Sequence, residues 1–169
     1  MKKILLSLMM VVTAIGASAQ NTYNVRVGGV VMQDFYLPTV MGQANFSLKN
    51  GSLWTFSPAV QFSTDLYNIS ALAHFNIGYR TIIGDRSLFV PKIGIALGHN
   101  TYDFEYEGSF LVGPSIDLAF ELKHFVIGLT GFYSITKAKG ETYSYGSYCS
   151  YCYDDAAVPM ASLTLGYTF

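Results

Sequence analysis

The sequence predicts an all-β fold: an eight-stranded antiparallel up-and-down transmembrane β-barrel, preceded by a cleaved signal peptide. Three observations carry that prediction. An export signal opens the chain, the rest is apolar without offering a membrane-spanning helix, and its segments alternate apolar and polar residues with period two.

Lys2 and Lys3 precede the apolar stretch 4–15, and Ala17, Ser18 and Ala19 form an A-x-A cleavage pattern. That stretch is shorter than the roughly 20 apolar residues a helical span requires. Residues 1–19 are therefore expected to be removed and 20–169 to form one barrel domain, with no cysteine at Gln20 to carry a lipid anchor. Charged residues make up 12% of the chain, against about 25% in ordinary soluble domains. Within 20–169 no run approaches about 18 consecutive apolar residues. An apolar exported chain of this kind satisfies its backbone in lipid by closing a sheet on itself. A net charge of −1 gives no reason to expect nucleic acid as a partner.

Alternation is clearest at the C-terminus, where Leu163, Leu165, Tyr167 and Phe169 point one way and Ser162, Thr164, Gly166 and Thr168 the other. In 69–80, Ala71, Ala73, Phe75, Ile77 and Tyr79 oppose Ser70, His74, Asn76 and Arg80. In 109–122, Phe110, Val112, Ile116, Leu118, Phe120 and Leu122 oppose Ser109, Ser115, Asp117 and Glu121. Continued along the chain, the pattern predicts strands at 23–32, 40–48, 53–62, 69–80, 88–98, 109–122, 125–135 and 158–169. The even count leaves both termini on the periplasmic side. Short turns are expected at 49–52, which contains Asn50-Gly51, at Gly84-Asp85 and at Lys123-His124. Longer outward loops are expected around 33–39, 63–68, 99–108 and 136–157.

With the strands so placed, Tyr23, Phe46, Trp54, Tyr79, Phe89, Phe120, Phe125, Tyr167 and Phe169 fall on the lipid-facing parity at the turn side, as an interfacial girdle would. Aromatic packing inside a soluble β-sandwich is the competing fold. Pro58 and Pro114 each remove a ladder donor, and bulges are expected there. Gly28, Gly29, Gly94, Gly98, Gly113 and Gly128 suit a narrow barrel with small inward side chains.

These features, with the terminal S-L-T-L-G-Y-T-F ending on Phe169, resemble small outer-membrane barrels of the OmpA/OmpX-like and PorT-type families. The resemblance covers nearly all of 20–169 and implies residence in the cell outer membrane, among its lipid and lipopolysaccharide. It further implies that Tyr167 and Phe169 form the signal read by the barrel-assembly machinery. Where that signal commonly carries a glycine, Thr164 stands here, with Gly166 nearby.

Inward parity collects Arg26, Gln43, Asn45, Gln61, His74, Asn76, Arg80, Lys92, Asp117 and Glu121. Eight strands enclose a space that side chains fill. Asp117 and Glu121 are therefore expected to neutralise Arg26, Arg80 or Lys92 in an internal network, because buried charges need partners. A narrow pore or transporter lined by the same charges is the alternative.

No enzymatic activity, metal or cofactor is expected. His74 lies mid-strand facing inward, as a network member, and His124 occupies a tight turn. His99, near Asn100, Asp103, Glu105 and Ser109, is the best candidate for a lipid-modifying centre at the outer rim. No lipid A deacylase or palmitoyltransferase motif is matched residue by residue. The segment E-T-Y-S-Y-G-S-Y-C-S-Y-C-Y-D-D places Tyr143, Tyr145, Tyr148, Tyr151 and Tyr153 around Cys149 and Cys152. Tyrosine with serine and glycine makes adaptable contact surfaces, so this loop is expected either to meet a surface protein, a glycan or a neighbouring barrel, or to be a solvated or disordered loop without a partner. For the two cysteines the order is a disulfide in an oxidising exterior, free thiols, then a metal site with Asp154 or Asp155. The expected role is a non-enzymatic anchor that presents surface loops, contributing to envelope integrity or to binding.

Overall fold

The alternating segments close into a ring. In a computed structural model, the residues described are 21–32, 35–48, 52–65, 68–84, 87–101, 109–136 and 159–169. The expected signal peptide, 1–19, and nearly all of the Tyr-rich loop lie outside them. Among the described residues nine strand segments follow one another: β1 (Thr22–Met32), β2 (Phe35–Ser47), β3 (Trp54–Thr64), β4 (Ile69–Tyr79), β5 (Thr81–Gly84), β6 (Ser87–Thr101), β7 (Ser109–Leu122), β8 (Phe125–Tyr133) and β9 (Pro159–Thr168). Each pairs antiparallel with its sequence neighbour except that β4 and β5 both pair with β6, and β1 pairs with β9. The result is a closed eight-stranded barrel in which β4 and β5 are two parts of one strand. Closure at the β1–β9 seam runs from Asn24↔Thr168 to Met32↔Met160. The Phe169 N–H adds a bond to the Tyr23 carbonyl at 2.8 Å.

Prolines explain where the ladders break. Gly78↔Lys92 and Thr81↔Phe89 keep one register across the β4–β5 interruption. Between them Tyr79 faces Pro91, which has no N–H to give. On its other side the strand stays paired, as Arg80 donates its N–H to the Leu53 carbonyl at 2.8 Å in the register of β3 and β4. The β2–β3 ladder skips from Gln43↔Ala59 to Phe46↔Phe56 around Pro58, and the β7–β8 ladder stops at Ser115↔Phe132, next to Pro114. The bulges expected at Pro58 and Pro114 are not there: register is unchanged across the Pro58 gap. Losing one donor costs less than shifting every side chain beyond it to the opposite face.

The strands also run further than the sequence pattern indicated. β2 begins at Phe35 rather than 40, and the Met32↔Phe35 pair turns the expected loop 33–39 into a tight hairpin. The strand expected at 69–80 continues through β5, and β6 carries on through Thr101. Pairing in a closed sheet extends strands into segments whose composition alone reads as loop.

Candidate functional site

The barrel wall sorts side chains onto two faces, as the two-residue period requires. Outside, Val27, Val60, Ile93, Ile95, Leu163 and Leu165 are each more than half exposed. A belt of this kind would be an aggregation surface in water and is at home in hydrocarbon. At the turn end aromatic pairs flank it. Trp54 meets Tyr79 edge-on at 5.2 Å, and Tyr167 meets Phe169 at 5.1 Å.

Inside, a charged layer centres on Asp117 of β7. Its Oδ1 accepts from Arg26 Nη1 at 2.9 Å and Thr130 Oγ1 at 3.1 Å. Its Oδ2 accepts from Lys92 Nζ at 2.7 Å, Arg26 Nη2 at 3.1 Å and Gln43 Nε2 at 3.1 Å. Five barrel strands thus meet at one carboxylate, and the side chains of Asp117, Arg26 and Lys92 are fully buried. Gln43 links the layer in both senses, since its Oε1 also accepts from Lys92 Nζ at 3.0 Å and Arg26 Nη2 at 3.2 Å. Two cations on one carboxylate need such extra acceptors, because a buried charge without hydrogen bonds is costly.

Missing side chains make room for this layer. A Cβ on Gly128 of β8 would overlap the Arg26 guanidinium, and one on Gly78 would press on the Lys92 stem. Gly128 thus serves the charged layer directly. Gly29, expected to face inward, lies instead on the outer wall, in step with Val27 and Val31.

The other inward residues fall at different heights. Glu121 is buried toward the turn end, within electrostatic reach of Arg80 and Lys92. Arg80 donates to Thr22 Oγ1 at 3.3 Å. His74 Nδ1 lies 2.8 Å from Ser115 Oγ, both buried, and its Nε2 has no hydrogen-bond partner among the described residues. This pair resembles a fragment of a nucleophile and base. In a hydrolytic triad, however, a carboxylate orients the base, and Asp117, two residues from Ser115, is taken up by Arg26 and Lys92. The candidate centre at His99 is split. His99 faces outward on β6 while Asn100 points into the barrel. Asp103 and Glu105 lie outside the described residues. His124 stacks on Tyr167 at 5.4 Å and 12° in the β7–β8 turn, where Lys123 takes a φ of 53°. Tyr143, Tyr145, Tyr148, Tyr151, Tyr153, Cys149 and Cys152 lie outside the described residues.

Sequence reading missed an apolar plug. Toward the loop end the lumen is filled by Met32, Leu37, Leu72, Leu111, Phe132 and Met160, packed with Val30 and Ala96. The signal was present: Val30-Val31-Met32 and Ala71-Leu72-Ala73 stay apolar where the alternation calls for an inward polar residue. A second, smaller cluster of Val90, Ala119 and Val126 sits toward the turn end.

Apolar outside, filled inside and closed without an edge, this architecture suits a membrane and no aqueous compartment. Among solved structures the chain is similar to Neisserial surface protein A, with a TM-score of 0.58 and 8% identity over 88% of this chain and 94% of that one. The fold is that of a small outer-membrane β-barrel. The chain is also similar to Ail, the attachment invasion locus protein of Yersinia pestis, with a TM-score of 0.47 and 13% identity over 88% of this chain and 96% of that one. No protein-family model and no curated protein sequence matches the chain.

Proposed function

We propose that this protein is a non-enzymatic anchor in the outer membrane whose barrel holds its outward segments, above all 136–157, at the cell surface. The observation that carries this reading is the filled lumen. The Asp117 layer ties five strands together across the barrel, and the apolar plug lies between that layer and the loop end. Neither a solute path nor an accessible reactive centre is supported by such an interior. The finer parts of the reading are also proposals. Residues 1–19 direct export, Tyr167 and Phe169 present the closing strand to the assembly machinery as in the OmpA/OmpX-like and PorT-type families, and the Tyr-rich segment meets a surface protein or glycan.

Two measurements test it. The purified barrel in planar bilayers is expected to give no stable conductance, and reproducible large channels altered by Lys92→Ala would refute the anchor. On intact cells, a photoreactive group placed beside Tyr148 is expected to yield a discrete adduct. Without an adduct, the binding role of the loop is lost and only envelope support is left.

A further inference from the structure

The outer wall of a narrow barrel is convex, so outward side chains on neighbouring strands splay apart and pack no groove unless one is missing. One is missing on β1. Its outward column runs Val27, Gly29, Val31, paired across the seam with Leu165, Leu163 and Ala161 of β9. Ala161 forms the floor of an apolar groove of about 400 Å³ beside Gly29, walled by Val27, Tyr36, Leu129, Leu163 and Leu165. This volume falls in the range of small-ligand sites, about 300–1,000 Å³.

Tyr36 sets the groove apart from the rest of the belt. It stands opposite Val31, one pair from the Met32↔Phe35 tip at the loop end. Its ring lies back over Gly29, where any Cβ would overlap its hydroxyl. Interfacial tyrosines ordinarily send the hydroxyl toward water. This one is directed along an apolar wall, 68% exposed, with no hydrogen-bond partner among the described residues. A hydroxyl in hydrocarbon needs an acceptor. The surroundings that can supply it are lipids, whose acyl carbonyls lie at the interface above the chains.

We propose that this groove is a specific lipid site, which holds one acyl chain of lipopolysaccharide with the Tyr36 hydroxyl donating to an acyl carbonyl. The groove is continuous with the lipid-facing belt, and the loop end lies in the outward leaflet, where lipopolysaccharide is the lipid. That sidedness rests on the orientation proposed above, whereas occupancy of the groove does not depend on the anchor role.

The test is native mass spectrometry of the barrel extracted from outer membranes in mild detergent, with folding checked by heat-dependent gel mobility. The wild type is expected to retain one lipopolysaccharide. Ala161→Leu, which fills the floor, should abolish retention. Tyr36→Phe, which keeps the shape, should lower it about fivefold, the loss of one neutral hydrogen bond. Gly42→Leu, placed where the outer wall offers open space, should change nothing. Equal retention in the wild type and Ala161→Leu would overturn the site. Retention of a phospholipid or of a second copy of the chain in place of lipopolysaccharide would overturn its assigned occupant. The conductance test of the anchor reading is unaffected by any of these outcomes.

Discussion

Replacing Asp117 with asparagine preserves shape and removes the charge on which the interior is organised. Arg26 Nη1 and Nη2, Lys92 Nζ, Gln43 Nε2 and Thr130 Oγ1 all donate to it between 2.7 and 3.1 Å. Asp117→Asn leaves two fully buried cations without their carboxylate, and its Nδ2 turns one acceptor into a donor facing other donors. Breaking a buried ion pair by removing one partner costs about 3–5 kcal/mol. With a urea slope near 2 kcal/mol/M, inside the usual range of about 1–3, the unfolding midpoint should fall by about 1.5–2.5 M. The assay is equilibrium urea unfolding of the refolded barrel in lipid vesicles. It is read from the chain's single tryptophan, Trp54, which sits 53% exposed on the lipid-facing wall and enters water on unfolding. Pairing Asp117→Asn with Lys92→Met removes one of the stranded cations and should recover part of the loss, a coupling of about 0.5–3 kcal/mol. A midpoint for Asp117→Asn within about 0.3 M of wild type would refute the reasoning, because the five contacts would then contribute nothing net.

Gly128→Val should destabilise the barrel at least as much as Asp117→Asn, since its side chain takes the volume of the Arg26 guanidinium, whereas Gly42→Val on the outer wall should stay within about 0.5 kcal/mol of wild type; urea midpoints of the two variants decide this. Phe169→Ala should reduce the fraction of protein reaching the heat-modifiable folded form in cells while leaving refolding from urea into vesicles nearly intact, which pulse-labelling and gel mobility would separate. Iodoacetamide on intact cells without reductant should leave Cys149 and Cys152 unlabelled, and labelling of both would remove the expected disulfide.

The wall was legible in the sequence because face is a local property. A two-residue period assigns each side chain inward or outward before any partner is known, and Leu163, Leu165, Asp117 and Lys92 all lie on the faces their parity indicates. Where the period weakens, the reading weakened with it. Pro91 splits β4 from β5 from across the sheet, so the break at Tyr79 and Arg80 is recorded in another strand's residues. His99 and Asn100 read as loop composition, yet pairing with β4 and β7 carries them into β6.

By itself, then, the sequence determined an apolar-out, eight-stranded wall and the charged and polar side chains that face its interior. Tertiary structure decided which of those meet. Arg26 and Asp117 are 91 residues apart and touch because closure and strand stagger bring them to one height, while Glu121, four residues from Asp117, falls nearer the turn end. Parity gives a face, but height inside a barrel depends on the register of every ladder around the ring. Gln43 as a bridge and Gly128 as the space for a guanidinium are for that reason properties of the closed barrel alone, while the apolar plug above them left a trace in the sequence at 30–32 and 71–73 and took its packing from closure.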